Sequence, residues 1–219
     1  MKPGVALRDR RHEILRPGMI WSLAALLCLP AAAWATPSDD IRETTDQIIK
    51  VLTDPELKPA DKMKERRAEI RKVVGQRFNF AEMARRSLAT HWLERTPEQR
   101  DEFVRIFTDL VEYSYIEKIE RFGGEKIQYA GESIDADQAT VRTKLFTRKD
   151  VPISIDYRLL DMGGRWQVYD VLIDGVSLVN EYRIQFNKIV RTKSYEELVR
   201  TMKVKRLSQD LEGQGLSSK

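Results

Sequence analysis

Asp170 is the side chain in this sequence with the clearest capacity for acid–base chemistry. The apolar residues that alternate with it in a strand-like run are Trp166, Val168 and Leu172. This spacing predicts that Asp170 points toward an apolar side, where burial raises the pKa of a carboxyl group and allows it to act as a general base. The alternative is a structural acid paired with an arginine such as Arg158 or Arg183, which is favoured because buried acids are normally paired.

Other catalytic chemistry finds no support in the residue types. The 219 residues include two histidines and one cysteine. There is no H-E-x-x-H helix, no G-x-S-x-G turn and no glycine-rich phosphate loop. His91 stands beside Trp92 near a predicted helix end, where a capping or packing role is favoured. No catalytic residue and no metal site are therefore predicted.

The first 35 residues have the pattern of a cleavable signal peptide. A basic stretch precedes an apolar run over 19–35, which ends in the small-residue pattern Ala33-Trp34-Ala35. The alternative is an uncleaved anchor, although about 20 apolar residues normally span a bilayer. Arg10-Arg11 leaves the twin-arginine export route open beside the general secretory route. We expect an exported protein that has lost Cys28 and depends on packing for stability.

The charge of the chain gives no indication of nucleic-acid binding. The formal net charge is +4, and residues 1–35 contain five basic and two acidic side chains. The rest of the chain is therefore nearly neutral. A nucleic-acid-binding surface would need a strong excess of basic residues.

Residues 36–124 show the three-to-four-residue apolar spacing of helices. The first helix is expected to end before Pro55, because the residue preceding a proline is pushed out of the α region. Asn79 and Thr96 are each followed three residues later by Glu or Gln, which is capping-box spacing. A long helix with a wide, aromatic-rich apolar stripe begins after Thr96 and stops at Gly123-Gly124.

After Gly124 the spacing changes from helical to alternating. Four strand-like runs follow, at 126–134, 139–148, 152–160 and 165–173. The turns between them are too short for crossover helices, so the strands are expected to form an antiparallel meander. Further helices are predicted after Gly175 and after Ser194. These elements predict an α+β domain over 36–207, with a disordered polar tail over 208–219.

Four stretches of the sequence resemble the MlaC family of periplasmic phospholipid-binding proteins, also called the toluene-tolerance auxiliary family. They are VPISIDYRLL at 151–160, RWQVYDVLIDGVSLVNEYRIQF at 165–186, FAEMARRSL at 80–88 and TPEQRDEF at 96–103. The resemblance spans residues 38–205. Its most specific part is W-x-V-Y-D-V followed by G-V-S-L-V-x-x-Y-R-x-Q-F.

The resemblance implies a periplasmic carrier that holds phospholipid chains in an apolar cavity between a curved sheet and helices. It implies lipid exchange between an outer-membrane lipoprotein–porin complex and an inner-membrane ABC transporter with an MCE-domain subunit, which maintains outer-membrane lipid asymmetry. No cofactor is implied, since the bound phospholipid is cargo. Exposure of two long chains to water costs on the order of 20 kcal/mol, so a carrier must enclose them.

The residues expected to line the lipid space combine one sheet face with the aromatic helix. They are Phe103, Phe107, Val141, Leu145, Ile153, Ile155, Tyr157, Leu159, Val168 and Leu172. Ordinary core packing is the alternative for each of them.

Two other classes of function stay open: a cone-like α+β enzyme that uses Asp170 as a general base, and a cavity-free periplasmic adaptor that binds only proteins. For contacts with partners, the best candidate surface is a basic helix face that includes Lys62, Lys64, Arg66, Arg67, Arg71 and Lys72. A simply solvated face is the alternative for this helix.

Overall fold

The structure is a computed structural model that describes residues 35–147 and 151–213, with side chains through residue 205. The predicted signal peptide lies outside the described residues except for Ala35. Four helices come first: α1 (Pro37–Thr53), α2 (Met63–Arg77), α3 (Phe80–Leu88) and α4 (Pro97–Glu120). The strands are β1 (Lys126–Asp135), β2 (Gln138–Phe146), β3 (Ile153–Asp161), β4 (Trp166–Ile173) and β5 (Val176–Ser177). Helices α5 (Leu178–Thr192) and α6 (Tyr195–Gly213) follow.

The helix starts are capped as the sequence predicts. Thr96 and Gln99 form a reciprocal capping box at α4, with Thr96 Oγ1 accepting from the Gln99 amide at 3.3 Å and Gln99 Oε1 accepting from the Thr96 amide at 3.1 Å. Asn79 Oδ1 caps α3 by accepting from the Glu82 amide at 3.0 Å. Helix α1 ends at Thr53, two residues before Pro55. These bonds satisfy amide groups that helix starts otherwise leave unpaired.

The strands form one antiparallel sheet in the order β1-β2-β3-β4-β5. The predicted α+β fold and meander are confirmed, and the sheet is curved. Strand β5 adds a fifth member that was not predicted, because two residues are too few to show an alternating pattern. It pairs Ser177 with Leu172 and Val176 with Ile173.

A β-bulge at Tyr169 interrupts the expected alternation along β4. Leu159 pairs with Val168, whereas the preceding residue Arg158 pairs with Asp170, so Tyr169 is the extra residue. Val168 therefore shares a face with Val171, while Asp170 lies on the opposite face. The prediction that Asp170 continues the alternation of Trp166 and Val168 is wrong for this reason.

The buried apolar residues form two clusters. The helical core joins α3, α4, α5 and α6, with Phe103 and Phe107 packed against Tyr182 and Phe186. The sheet core lies between the start of α1 and one half of the sheet. Its buried members are Ile41, Ala139, Val141, Leu159, Trp166, Val168 and Val171.

A buried ionic cluster joins α1 and α2 to the start of β4. Arg77 pairs with Asp40 and donates to the Trp166 carbonyl at 2.8 Å and to Thr44 Oγ1 at 3.0 Å. Asp40 Oδ2 also accepts from the Trp166 amide at 3.1 Å. Because each buried charge in this cluster has partners, the cluster joins α1, α2 and β4 without leaving an unpaired ion.

Helix α6 extends past the predicted start of the tail. It continues to Gly213, whereas the sequence suggested disorder from residue 208. Residues 208–212 contain neither glycine nor proline, so nothing in the backbone stops the helix before Gly213. Residues 214–219 of the predicted tail lie outside the described part of the chain.

Candidate functional site

An apolar cavity of about 570 Å³ lies between the sheet and the helices. Its floor is the half of the sheet that the sheet core leaves uncovered, where Leu145, Ile153, Ile155 and Ile173 present their side chains. Helices α1, α2 and α4 form most of the walls. The wall residues are Ile41, Thr44, Thr45, Ile48, Ile49 and Leu52 of α1, Ile70, Arg71 and Val74 of α2, and Val111, Glu112, Tyr115, Ile116, Lys118 and Ile119 of α4.

The side chains that line the cavity become less buried from one end of α1 to the other, and we call the less buried end of the cavity its open end and the other its closed end. At the closed end Ile41, Ile70 and Leu178 are buried. At the other end Leu52 of α1 and Phe122, which follows α4, are only half-buried. Large apolar side chains that stay partly exposed around an apolar space mark a site for an apolar ligand.

Tyr157 and Thr143 bring hydroxyl groups to the mainly apolar floor. Burial raises the pKa of Tyr157 to about 12, because the protein environment disfavours the phenolate form. The neighbouring Tyr129 contributes in the same direction. Tyr157 therefore stays neutral at physiological pH and adds no charge to the cavity.

The structure places four of the ten predicted site residues on the cavity wall. These are Leu145, Ile153, Ile155 and Tyr157. Val141, Leu159 and Val168 share their sheet face but lie in the sheet core, where Ile41 covers them. These seven residues therefore share one sheet face, and only part of that face reaches the cavity.

The remaining predicted site residues lie elsewhere. Phe103 and Phe107 are fully buried in the helical core, because the first half of α4 packs among α3, α5 and α6 and its second half lines the cavity. Leu172 lies on the opposite face of the sheet, since the bulge at Tyr169 reverses the orientation of the residues that follow it.

Sequence reasoning missed most of the helical wall. The α1 residues Ile48, Ile49 and Leu52 follow the helical apolar spacing of residues 36–124, but nothing in the sequence distinguishes them from ordinary core. The sequence feature that could have indicated them is an apolar stripe that continues to the last turn of α1, just before Pro55. A helix that packs only on the core is expected to have fewer apolar residues at its end. The second half of α4 gives no comparable signal, because its stripe continues without change from the helical core.

Asp170 is held by partners on the sheet face away from the cavity. Its Oδ2 accepts from Ser177 Oγ at 2.7 Å and lies 3.4 Å from Arg158 Nη1, and its Oδ1 accepts from the Val179 amide at 3.1 Å. The residue is 3% exposed. Asp170 thus ties the start of α5 to β4, which matches the structural interpretation with Arg158, rather than Arg183, as its arginine.

The three arginines of the basic α2 face are bound to carboxylates of α4. Arg66 and Arg67 donate to the two carboxylate oxygens of Glu120 at 3.0 and 2.9 Å, and Arg71 Nε lies 3.3 Å from Glu112 Oε2. The expectation that these three arginines face solvent is wrong. Their partners stand about 40 to 55 positions further along the chain, so the helical pattern of α2 could not show them.

Two properties of the described residues bear on the type of site. No described helix is long and apolar enough to cross a membrane. Within the same part of the chain, no group of three or more His, Cys, Asp or Glu side chains is arranged to hold a metal ion.

Together, the fold and the cavity define an α+β protein whose antiparallel sheet and helices enclose a chamber for an apolar ligand. The sequence model of one family, described as MlaC protein, matches residues 42–204. The chain belongs to the MlaC family, which confirms the resemblance seen in its sequence motifs.

Individual relatives agree with this assignment. The intermembrane phospholipid transport system binding protein MlaC of Haemophilus influenzae is 25% identical over 120 residues, which cover 52% of this chain and 56% of that protein. The chain thus matches just over half the length of this relative. The toluene tolerance protein ttg2D of Pseudomonas putida is 23% identical over 176 residues, which cover 80% and 81% of the two chains.

A solved structure shares the fold. A phospholipid-binding protein from Ralstonia solanacearum, determined in complex with a phospholipid, superposes with a TM-score of 0.65 at 21% identity. The match covers 78% of this chain and 97% of that chain. At this level of identity the comparison shows a common fold.

Proposed function

We propose that this protein binds a phospholipid by enclosing its acyl chains in the apolar cavity. The observation that carries the proposal is the cavity itself, whose lining is mainly apolar and becomes more exposed toward one end. Each methylene group removed from water contributes about 0.8 kcal/mol, so a chamber of this kind stabilises chains strongly. The open end allows the polar headgroup to remain in contact with water.

A carrier role is favoured over catalysis by what surrounds Asp170. This carboxylate is the best candidate for a general base, yet its oxygens are occupied by Ser177, Val179 and Arg158 on the far side of the sheet. It would have to leave these partners and change faces to reach a ligand in the cavity. Lipid binding, in contrast, requires no reactive side chain.

The transport pathway is the second part of the proposal. We infer that the protein is periplasmic and carries phospholipid between an outer-membrane lipoprotein–porin complex and an inner-membrane ABC transporter with an MCE-domain subunit, thereby maintaining lipid asymmetry. The name of the relative from Haemophilus influenzae, an intermembrane phospholipid transport system binding protein, supports transport between membranes. Enclosure of the chains supports it physically, because a lipid can then cross water without exposing them.

Extraction of the purified protein with organic solvent, followed by mass spectrometry, tests the proposal. We expect phospholipid in the extract in a constant ratio to protein. A tightly packed protein that yields no phospholipid, and that takes up none from vesicles, would support the adaptor interpretation instead.

A pair of variants links the lipid to the cavity. Ile155→Glu places a charge on the cavity floor and should strongly reduce the co-purified lipid, because the carboxylate must be desolvated when chains are bound. Ile184→Glu is the matched control, since Ile184 is 57% exposed on α5 and lies outside the cavity wall. Equal lipid content in both folded variants would place the lipid elsewhere.

A further inference from the structure

Three charged side chains reach the wall of the mainly apolar cavity: Arg71, Glu112 and Lys118. Two of them neutralise each other, since Arg71 Nε lies 3.3 Å from Glu112 Oε2. Burial raises the pKa of Glu112, and the positive charge of Arg71 opposes this rise. After this pair is taken into account, the positive charge left on the cavity wall is that of Lys118.

The carboxylates nearest to Lys118 along α4 already have arginine partners. Glu117 lies 3.6 Å from Arg121, and Glu120 is bound by Arg66 and Arg67. Within the described ranges, Lys118 forms no salt bridge. Its charge is therefore available to an anion from outside the protein.

Tyr115 holds the ammonium group of Lys118 at the cavity. Lys118 Nζ lies 4.5 Å from the centroid of the Tyr115 ring, a distance at which the cation is attracted to the ring face. Tyr115 is itself part of the cavity wall. This contact favours side-chain conformations in which the ammonium group stays next to the cavity wall.

Lys118 also lies toward the open end of the cavity. The wall residue that follows it, Ile119, is half-buried, and Lys118 itself is exposed to solvent. A lipid whose chains fill the closed end would bring its phosphate toward this end. The charge of Lys118, its contact with the Tyr115 ring and its position at the open end thus all favour binding of an anionic group.

We propose that Lys118 binds the phosphodiester group of the lipid and gives the cavity a preference for phospholipids over uncharged lipids with the same chains. This inference rests on the proposed lipid-binding function and adds a specificity-determining residue to it. Lys118 is exposed, so water screens its charge, and its removal should weaken phospholipid binding by about two- to fivefold.

The test compares two lipids and three variants. Lipid-free protein is mixed with phosphatidylglycerol and with diacylglycerol that carry identical acyl chains, and the bound fraction of each is measured by native mass spectrometry. Lys118→Gln should lower the ratio of bound phosphatidylglycerol to bound diacylglycerol by about two- to fivefold, with diacylglycerol binding unchanged. Lys118→Arg should keep the wild-type ratio, because it retains the charge.

The matched control is Lys64→Gln, which makes the same change at an exposed lysine outside the cavity wall. It should leave the ratio unchanged. A wild-type ratio in Lys118→Gln, or an equal decrease in Lys64→Gln, would overturn the assignment of Lys118. Failure of the wild-type protein to bind either lipid would instead refute the proposed function, and the inference with it.

A final arm separates a lipid headgroup from a free phosphate compound. Glycerol 3-phosphate at millimolar concentration should not displace phosphatidylglycerol, because the acyl chains supply most of the binding energy. Displacement that depends on Lys118 would show a site for soluble phosphates and would contradict the headgroup assignment.

Discussion

Replacement of Asp170 by asparagine should destabilise the fold without affecting the cavity directly. The Asp170 carboxylate accepts hydrogen bonds from Ser177 Oγ and from the Val179 amide, and it lies at the start of α5, where the helix dipole favours a negative charge. Asparagine keeps one acceptor oxygen but places an NH₂ group where the other carboxylate oxygen had accepted hydrogen bonds.

The magnitude follows from the burial of the two partners. Hydrogen bonds to a buried charged group contribute about 1.5–3 kcal/mol, so we expect Asp170→Asn to lower the free energy of unfolding by about 2–3 kcal/mol. The Arg158 side chain is 44% exposed, so the ion pair itself adds less than about 1 kcal/mol. For a domain of this size the loss lowers Tm by about 4–12 °C.

Urea denaturation followed by circular dichroism measures this difference. Arg158→Gln is the control variant and should cost less than about 1 kcal/mol. An Asp170→Asn protein as stable as the wild type would refute the structural role and return Asp170 to consideration as a catalytic base. A loss that is equal in both variants would show that the ion pair, and not the start of α5, is the main contribution.

Two further predictions concern the cavity floor and the α2–α4 contact. Between pH 10 and 12 the unfolded chain ionises a tyrosine that the folded protein keeps neutral, because the pKa of Tyr157 is raised to about 12. Stability should therefore decrease as the pH rises through this window, by about 2–3 kcal/mol, and Tyr157→Phe should remove that part of the decrease in alkaline unfolding curves. Glu120→Gln leaves two partly buried arginines without their carboxylate and should lower the free energy of unfolding by about 1–3 kcal/mol in urea denaturation. Glu117→Gln, at an exposed ion pair, should change it by less than about 0.5 kcal/mol, and an equal effect in both variants would contradict a special role for Glu120.

Local patterns were sufficient to predict most of the fold. The change from helical to alternating spacing after Gly124 located four strands within two residues at each end, and Asn79 and Thr96 marked helix starts correctly. These signals are local, because caps and alternation depend on residues that are close in sequence. The expectation of phospholipid binding came instead from the resemblance to the MlaC family, because caps and alternation carry no information on function.

The cavity wall required information that the sequence pattern does not carry. The bulge at Tyr169 places Asp170 and Leu172 on the opposite sheet face from the one that simple alternation predicts. No residue type in β4 indicates this bulge. Phe103 and Phe122 belong to one continuous apolar region, yet Phe103 is buried in the helical core and Phe122 lines the cavity. A cavity forms where elements that are distant in sequence do not pack directly against each other. The spacing of apolar residues within one helix therefore cannot locate it.

Photolabelling with a phospholipid that carries a diazirine in one acyl chain would locate bound chains. After irradiation and digestion, mass spectrometry should find adducts mainly in two regions of the cavity wall, 41–52 in α1 and 111–122 at the end of α4. Unlabelled phospholipid with the same chains should suppress these adducts by competition. Adducts that concentrate instead at 103–107 and 182–186 of the helical core, or that spread over the surface without competition, would contradict enclosure of the lipid chains in this cavity.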